Sequence, residues 1–231
     1  NYSTNGLLIV ASGNLKHDHL IKLTEKYIVD DNSKRRIRRE QFHTKKVEDT
    51  FIEKDVQQVH TIIGRATYGY NDKNRIPVRF LSALLGEGSS SRLFLAVREK
   101  LGITYQINSF LNSYNDTSAF GVYFSTNQNQ YAKVIDIVYK EFKKLKEIPI
   151  TEKELKKVKE YLKGGILLSL ESTTNRMMRI ANSILYYNKV FTVNDYLSKI
   201  EKITVEDVQK TARELLNDSK LIKVILKSET K

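Results

Sequence analysis

Apolar and polar residues alternate along this chain with two periods, and the change from one to the other marks its elements. Leu7 to Ala11, bounded by Gly6 and Gly13, is an unbroken apolar run and predicts a buried strand. From about His17 to Tyr27 the period lengthens, with Leu20, Leu23, Tyr27 and Ile28 at helical spacing. The opening therefore reads as strand, turn, helix. Between Val29 and Val47 the periodicity collapses into turn formers and then Lys34-Arg35-Arg36-Ile37-Arg38-Arg39, which reads as a linker. Alternation returns over Val47–Glu53 and Gln57–Thr67, predicting two strands joined at Lys54-Asp55 and paired antiparallel. Asn71-Asp72 then caps a helix whose apolar face is Ile76, Phe80, Leu81, Leu84 and Leu85. Pro77 falls in its first turns, where a missing N–H costs least.

Past residue 100 the alternation reappears twice. Thr104–Asn112 and Ser118–Thr126 predict strands joined by a hairpin turn over Ser113–Thr117. The remainder is helical in period: Gln130–Lys146, a helix from the Thr151/Glu154 capping box to about Ser172, then Asn175–Tyr187, Val193–Lys199 and Val205–Leu216. Gly164-Gly165 weaken the second of these locally. Leu221–Leu226 closes the chain as a strand. Strands come in adjacent pairs and helices in runs, which predicts an α+β fold: a largely antiparallel sheet with helices packed on one face. A doubly wound parallel fold would alternate its elements one by one.

Composition narrows the chemistry. The 231 residues are 40% hydrophobic, enough for a real core. With no cysteine, the chain has no disulfide, no thiolate metal site and no cysteine nucleophile. That absence fits a reducing compartment, and a cytoplasmic location is the expectation. The net charge of +12 favours acidic partners, yet Lys is spread over many faces and mixed with Glu. The one dense basic cluster, Lys34–Arg39, lacks the interleaved aromatics of single-strand binders, so a solvated connector is expected and nucleic acid is not. A basic nucleic-acid module stays as the competing reading, testable by salt-dependent retention. No apolar run approaches the ~20 residues of a membrane span, so no membrane segment is expected. A chain that begins at Asn1 and opens almost at once on a strand reads as cut from a larger polypeptide.

The histidines are His17, His19, His43 and His60. His17 and His19 at a helix start read as surface residues and His60 as a strand residue; no zinc motif joins them. Gly86-Glu87-Gly88-Ser89-Ser90-Ser91 precedes a helix, as phosphate loops do. The P-loop lysine is missing and a helix, not a strand, leads in, so the loop reads as a serine cap on a tight helix–helix connection. Arg98 and Tyr105 lie on either side of the Gly102 turn. A five-donor guanidinium and a phenol can together hold a carbonyl or oxyanion. Taken alone, Arg98 pairing with Glu99 and Tyr105 half in the core is the simpler account.

Ser90-Ser91-Arg92-Leu93-Phe94, followed by Arg98-Glu99-Lys100-Leu101-Gly102-Ile103-Thr104-Tyr105, closely resembles the second half of the insulinase/pitrilysin-type zinc metallopeptidases, which include mitochondrial processing peptidase. In that family S-S-R-L-F precedes R-E-K-x-G-L-x-Y; here Ile103 replaces the usual Leu. The resemblance extends over nearly the whole chain. It implies a division into residues 1–28, the terminal strand–helix of a preceding catalytic half; 29–46, the basic linker; and 47–231, a C-terminal substrate-binding domain without zinc.

The resemblance also implies a metallopeptidase mechanism that this chain cannot complete alone. The family's first half carries H-x-x-E-H, whose two His with a later Glu hold Zn²⁺ while the motif Glu activates water. The two halves close around a chamber. Arg98 and Tyr105 would contact the substrate carbonyl or oxyanion, with Ser90, Ser91 and Arg92 in the substrate-binding set. Partners would be a peptide substrate and the catalytic half or a zinc-bearing subunit. Zinc is expected in the full protein and none on this chain, which would be inactive by itself. A zinc-less, partner-binding relative of the same family is the alternative, and the presence or absence of H-x-x-E-H upstream of Asn1 separates the two.

Overall fold

The computed structural model describes residues 4, 6–29, 40–44 and 48–229. The basic run Lys34–Arg39 lies outside the described residues, as does most of the expected linker. The chain divides into two compact units, 1–42 with 164–196, and 43–163 with 197–231.

The larger unit is built on one five-stranded sheet. Its strands are β1 (Thr50–Glu53), β2 (Val59–Tyr68), β3 (Gln106–Ser113), β4 (Thr117–Thr126) and β5 (Ile222–Lys227), in the order β1-β5-β2-β4-β3. All neighbours are antiparallel except β1 and β5. The α+β architecture expected from the order of elements is thus formed. One expected pairing is not. β1 and β2 make no hairpin, because β5 lies between them, antiparallel to β2 and parallel to β1. Asp49 fixes this insertion: its Oδ1 accepts the Lys223 N–H at 2.9 Å and its Oδ2 meets the Lys223 ammonium at 2.9 Å.

Strand alternation sorts the residues into two faces. Val59, Thr61 and Ile63 of β2 stand in register with Thr126, Phe124 and Val122 of β4, and Ile225 of β5 continues the row beside Thr61. All are buried. Three helices cover this face: α2 (Arg75–Gly86), α3 (Tyr131–Glu147) and α7 (Val205–Leu215). They bring in Phe80, Leu81, Val138, Phe142, Val208 and Leu215, each 1% exposed or less. At roughly 1.5–3 kcal/mol for each fully buried large apolar side chain, this layer is the main force holding the unit. α7 starts at the Thr204/Asp207 capping box. Near its end Arg65 Nη1 donates to the Glu214 carbonyl at 3.0 Å, and the Tyr68 hydroxyl donates to the Glu214 carboxylate. Burial first, and then that carboxylate, push the Tyr68 phenol up to about 12.

α4 (Glu152–Ser169) seats Leu155, Val158 and Leu162 in the larger unit and runs on into the smaller one. It begins at the expected capping box, with Glu154 N–H donating to Thr151 Oγ1 at 3.2 Å and Thr151 N–H donating to Glu154 Oε2 at 3.2 Å. The smaller unit holds α1 (His17–Tyr27) and α5 (Thr173–Tyr187), and α6 (Val193–Glu201) begins in it. α5 is capped by Ser172 and ends at Asn188 in the left-handed region, φ 54°. Ser183 Oγ then bridges the Lys189 carbonyl and the Phe191 N–H. The apolar run Leu7–Ala11 forms no strand. It meets no sheet edge among the described residues, and Leu7 and Ile9 stay exposed.

Candidate substrate-gripping turn

The Gly86–Tyr105 stretch leaves α2, turns, forms a short helix and turns again into β3. Its first anchor is a close approach. A Cβ on Gly86 would overlap the backbone N of Ser109 on β3, so only glycine lets the end of α2 lie against that strand. Ser109 Oγ donates to the Ser82 carbonyl at 2.6 Å, and Ser82 Oγ donates to Glu87 Oε1 at 2.9 Å. Arg79 pairs with the same Glu87 oxygen. The loop therefore leaves α2 in one direction.

The second anchor holds the serines and Arg92. Ser91 is 4% exposed, and both its N–H and its hydroxyl donate to the Gly88 carbonyl, at 3.2 and 2.8 Å. Arg92 Nε donates to Glu154 Oε1 at 3.0 Å, and its Nη2 lies 2.9 Å from the same oxygen as an ion pair. Both residues are thus anchored within the fold, Ser91 to the loop and Arg92 to the start of the Glu152–Ser169 helix. Ser90 is exposed, and it lines a cavity of about 180 Å³ together with Ser91, Arg92, Leu95, Lys157 and Tyr161.

The helix that follows is a π-helix over Phe94–Glu99. The wider turn brings Lys100 N–H to the Leu95 carbonyl at 3.2 Å. Leu93 and Val97 are buried beneath it. Arg98 is exposed on its last turn, with the guanidinium 5.1 Å from the centre of the Phe94 ring. No carboxylate pairs with Arg98 among the described residues, so its hydrogen-bonding edge is available to an incoming acceptor. Gly102 then reverses the chain at φ +62°, its N–H donating to the Arg98 carbonyl at 3.0 Å. Thr126 Oγ1 donates to the Ile103 carbonyl and Thr104 is buried, which ties the return path to β4. Tyr105 emerges 67% exposed, one residue before β3. The two side chains flank one fixed turn. Exposure at both is unlike the core tyrosine and paired arginine of the simpler account.

No group of three or more His, Asp or Glu that could hold a metal occurs among the described residues. His60 is engaged instead by Tyr123, its Nδ1 2.8 Å from the phenol oxygen. The residues described here do not fit a zinc centre. The holding residues Glu87 and Gly86 stood inside the stretch that the sequence singled out, but nothing local marks their partners. Glu154 was visible as a helix cap; its bond to Arg92, 62 residues away, was not.

Residues 1–162 match the family model described as the peptidase M16 inactive domain. A protein of Mycobacterium tuberculosis named an uncharacterized zinc protease is 32% identical over 221 residues, covering 94% of this chain and 50% of that protein. A Bacillus subtilis protein of the same description is 30% identical over 227 residues, covering 97% of this chain and 54% of its own length. Among solved structures, a protease from Helicobacter pylori superposes with a TM-score of 0.83 at 25% identity, over 94% of this chain and 54% of that one. The chain spans about half the length of the curated relatives it matches.

Proposed function

The chain belongs to the peptidase M16 inactive-domain family, and from that premise we propose that it is the substrate-gripping half of a zinc metallopeptidase. The zinc-bearing half lies elsewhere, in the same polypeptide or in a separate subunit. Relatives named zinc proteases that are about twice as long support this division.

The single observation that carries the reading is the presentation of Arg98 and Tyr105. Both are exposed, on either side of a turn fixed by Gly102 and by the Thr126 bond to Ile103. The guanidinium and phenol donate to the carbonyl next to the scissile bond, and more strongly once that oxygen carries negative charge. Cutting belongs to the zinc half; holding and orienting belong to this one. Substrates are peptides or unfolded segments, because the recognised atoms belong to the main chain.

A photoreactive side chain at position 105 in the full-length protein tests the placement. It is expected to crosslink a bound peptide, whereas the same group at Lys143, exposed on α3, is not. Equal labelling at the two positions, or none at 105, removes the turn from the peptide site.

A further inference from the structure

We infer that the cavity enclosed by the end of α2, the π-helix and α4 is a binding site for a small apolar monocarboxylate, held by Lys157. The site shares no residue with the Arg98–Tyr105 pair and does not depend on the proposed function.

The cavity measures about 180 Å³. At roughly 30 Å³ per water that is room for about six waters. It lies below the roughly 300–1,000 Å³ of sites for drug-sized ligands, so a small molecule or a single residue fits and a longer segment does not. α4 contributes Lys157, Val158 and Tyr161 from the same helix face as Glu154. α2 contributes Ala83 and Leu84, and the π-helix contributes Leu95.

The walls are set before a ligand arrives. Gly88, at φ +79°, brings the loop so close to Tyr161 that a Cβ there would lie 3.3 Å from the ring. Arg92, just before the π-helix, is tied to Glu154 of α4, and Glu87 is tied to Arg79 and Ser82 of α2. Pre-formed walls lower the ordering cost of binding.

Charge selects the ligand. Two carboxylates line the cavity, and each already has an arginine: Arg79 for Glu87 and Arg92 for Glu154. The charge left over is Lys157. Among the described residues its ammonium makes no ion pair or hydrogen bond, and the hydroxyls of Ser90 and Tyr161 make no hydrogen bond. An ammonium with three N–H donors and two hydroxyls match the two oxygens of one carboxylate. A cationic ligand would meet Lys157 with no free carboxylate to offset it. A phosphate dianion would find one cation for two charges, because Arg92 is already held. Ala83, Leu84 and Val158 are buried aliphatic side chains, and with Leu95 they take an apolar body out of water. Two sources share this chemistry: a free small acid, and the C-terminal residue of a peptide.

The test is a titration of the full-length protein with hexanoate, followed by saturation-transfer NMR. Hexanoate is expected to bind with a Kd on the order of 1 mM, a modest affinity because Lys157 is exposed. Hexanol and hexylamine are expected to bind at least about tenfold more weakly. Lys157→Met keeps the apolar stem and removes the charge. It is expected to weaken hexanoate at least about tenfold with the melting temperature unchanged, whereas Lys153→Met, exposed on α4 outside the cavity, leaves binding intact. A short peptide ending in leucine, made as the free acid and as the amide, separates the sources. Competition with hexanoate by the free-acid peptide alone assigns the site to a chain end; hexanoate binding that neither peptide displaces assigns it to a free acid. Either result upholds the inference. No binding of hexanoate, equal binding of hexylamine, equal competition by the amide peptide, or the same affinity in Lys157→Met and Lys153→Met overturns it.

Discussion

Arg92 donates a hydrogen bond from Nε to one oxygen of Glu154 and forms an ion pair with it through Nη2, while the other oxygen of that carboxylate accepts the N–H of Thr151 at the start of α4. One side chain thus joins the helix that presents Arg98 to the cap of another helix. The pair is only partly exposed, so it is screened less than a surface ion pair.

Arg92→Ala is expected to lower stability by about 1–2 kcal/mol, read from the denaturant midpoint, because it removes a charge-assisted hydrogen bond with its ion pair and leaves a half-buried carboxylate. Arg92→Lys restores less than half, since an ammonium does not present the same planar pair of donors. Unchanged stability with a raised KM would assign Arg92 to the peptide instead.

Gly86→Ala tests the close approach of α2 and β3. The added methyl meets the Ser109 backbone, which has no flexible end to move aside. The expected loss is about 1–3 kcal/mol, within the range for overpacking. The same change at Gly165, where a Cβ meets nothing within 4 Å, is expected to be neutral or mildly stabilising.

Asp49 gives a pH signature. Burial alone would raise its carboxyl, but the side chain and backbone N–H of Lys223 together outweigh burial and hold it below its usual value of 3.8. A depressed carboxylate contributes stability that is fully present above its unfolded value and is lost as pH falls through the lower, folded one. Thr50–Glu53 is therefore expected to loosen from β5 below that value, seen as faster amide exchange. Asp49→Asn should remove that pH dependence. The pair is about one-third exposed, so the effect on global stability is well under 1 kcal/mol.

Much of the fold was legible because its signals are local. The alternation on either side of Ser113–Thr117 gives the β3–β4 hairpin, and Thr151 with Glu154 gives the start of α4. What failed was partner choice. Phe51 and Thr61 look like strand neighbours in sequence, yet each pairs with Ile225 from the far end of the chain. Alternation reports that a segment is extended with one buried face; it does not say which strand lies beside it. Leu7–Ala11 fails for the related reason that an apolar run becomes a strand only where an edge receives it. The π-helical turn under Arg98 has no pattern of its own, because side chains at its spacing resemble those of an α-helix over six residues. Arg98 and Tyr105 were found through motif resemblance, and their exposure is what the structure adds.

The central claim is that Arg98 and Tyr105 hold the substrate during cleavage. Steady-state peptide hydrolysis by the full-length protein tests it most directly, with Arg98→Ala and Tyr105→Phe measured separately and their melting temperatures checked. On the proposed function each substitution removes a donor to the reacting carbonyl, so each is expected to lower kcat/KM by at least about tenfold with little change in stability. Wild-type kinetics in both variants would contradict the account.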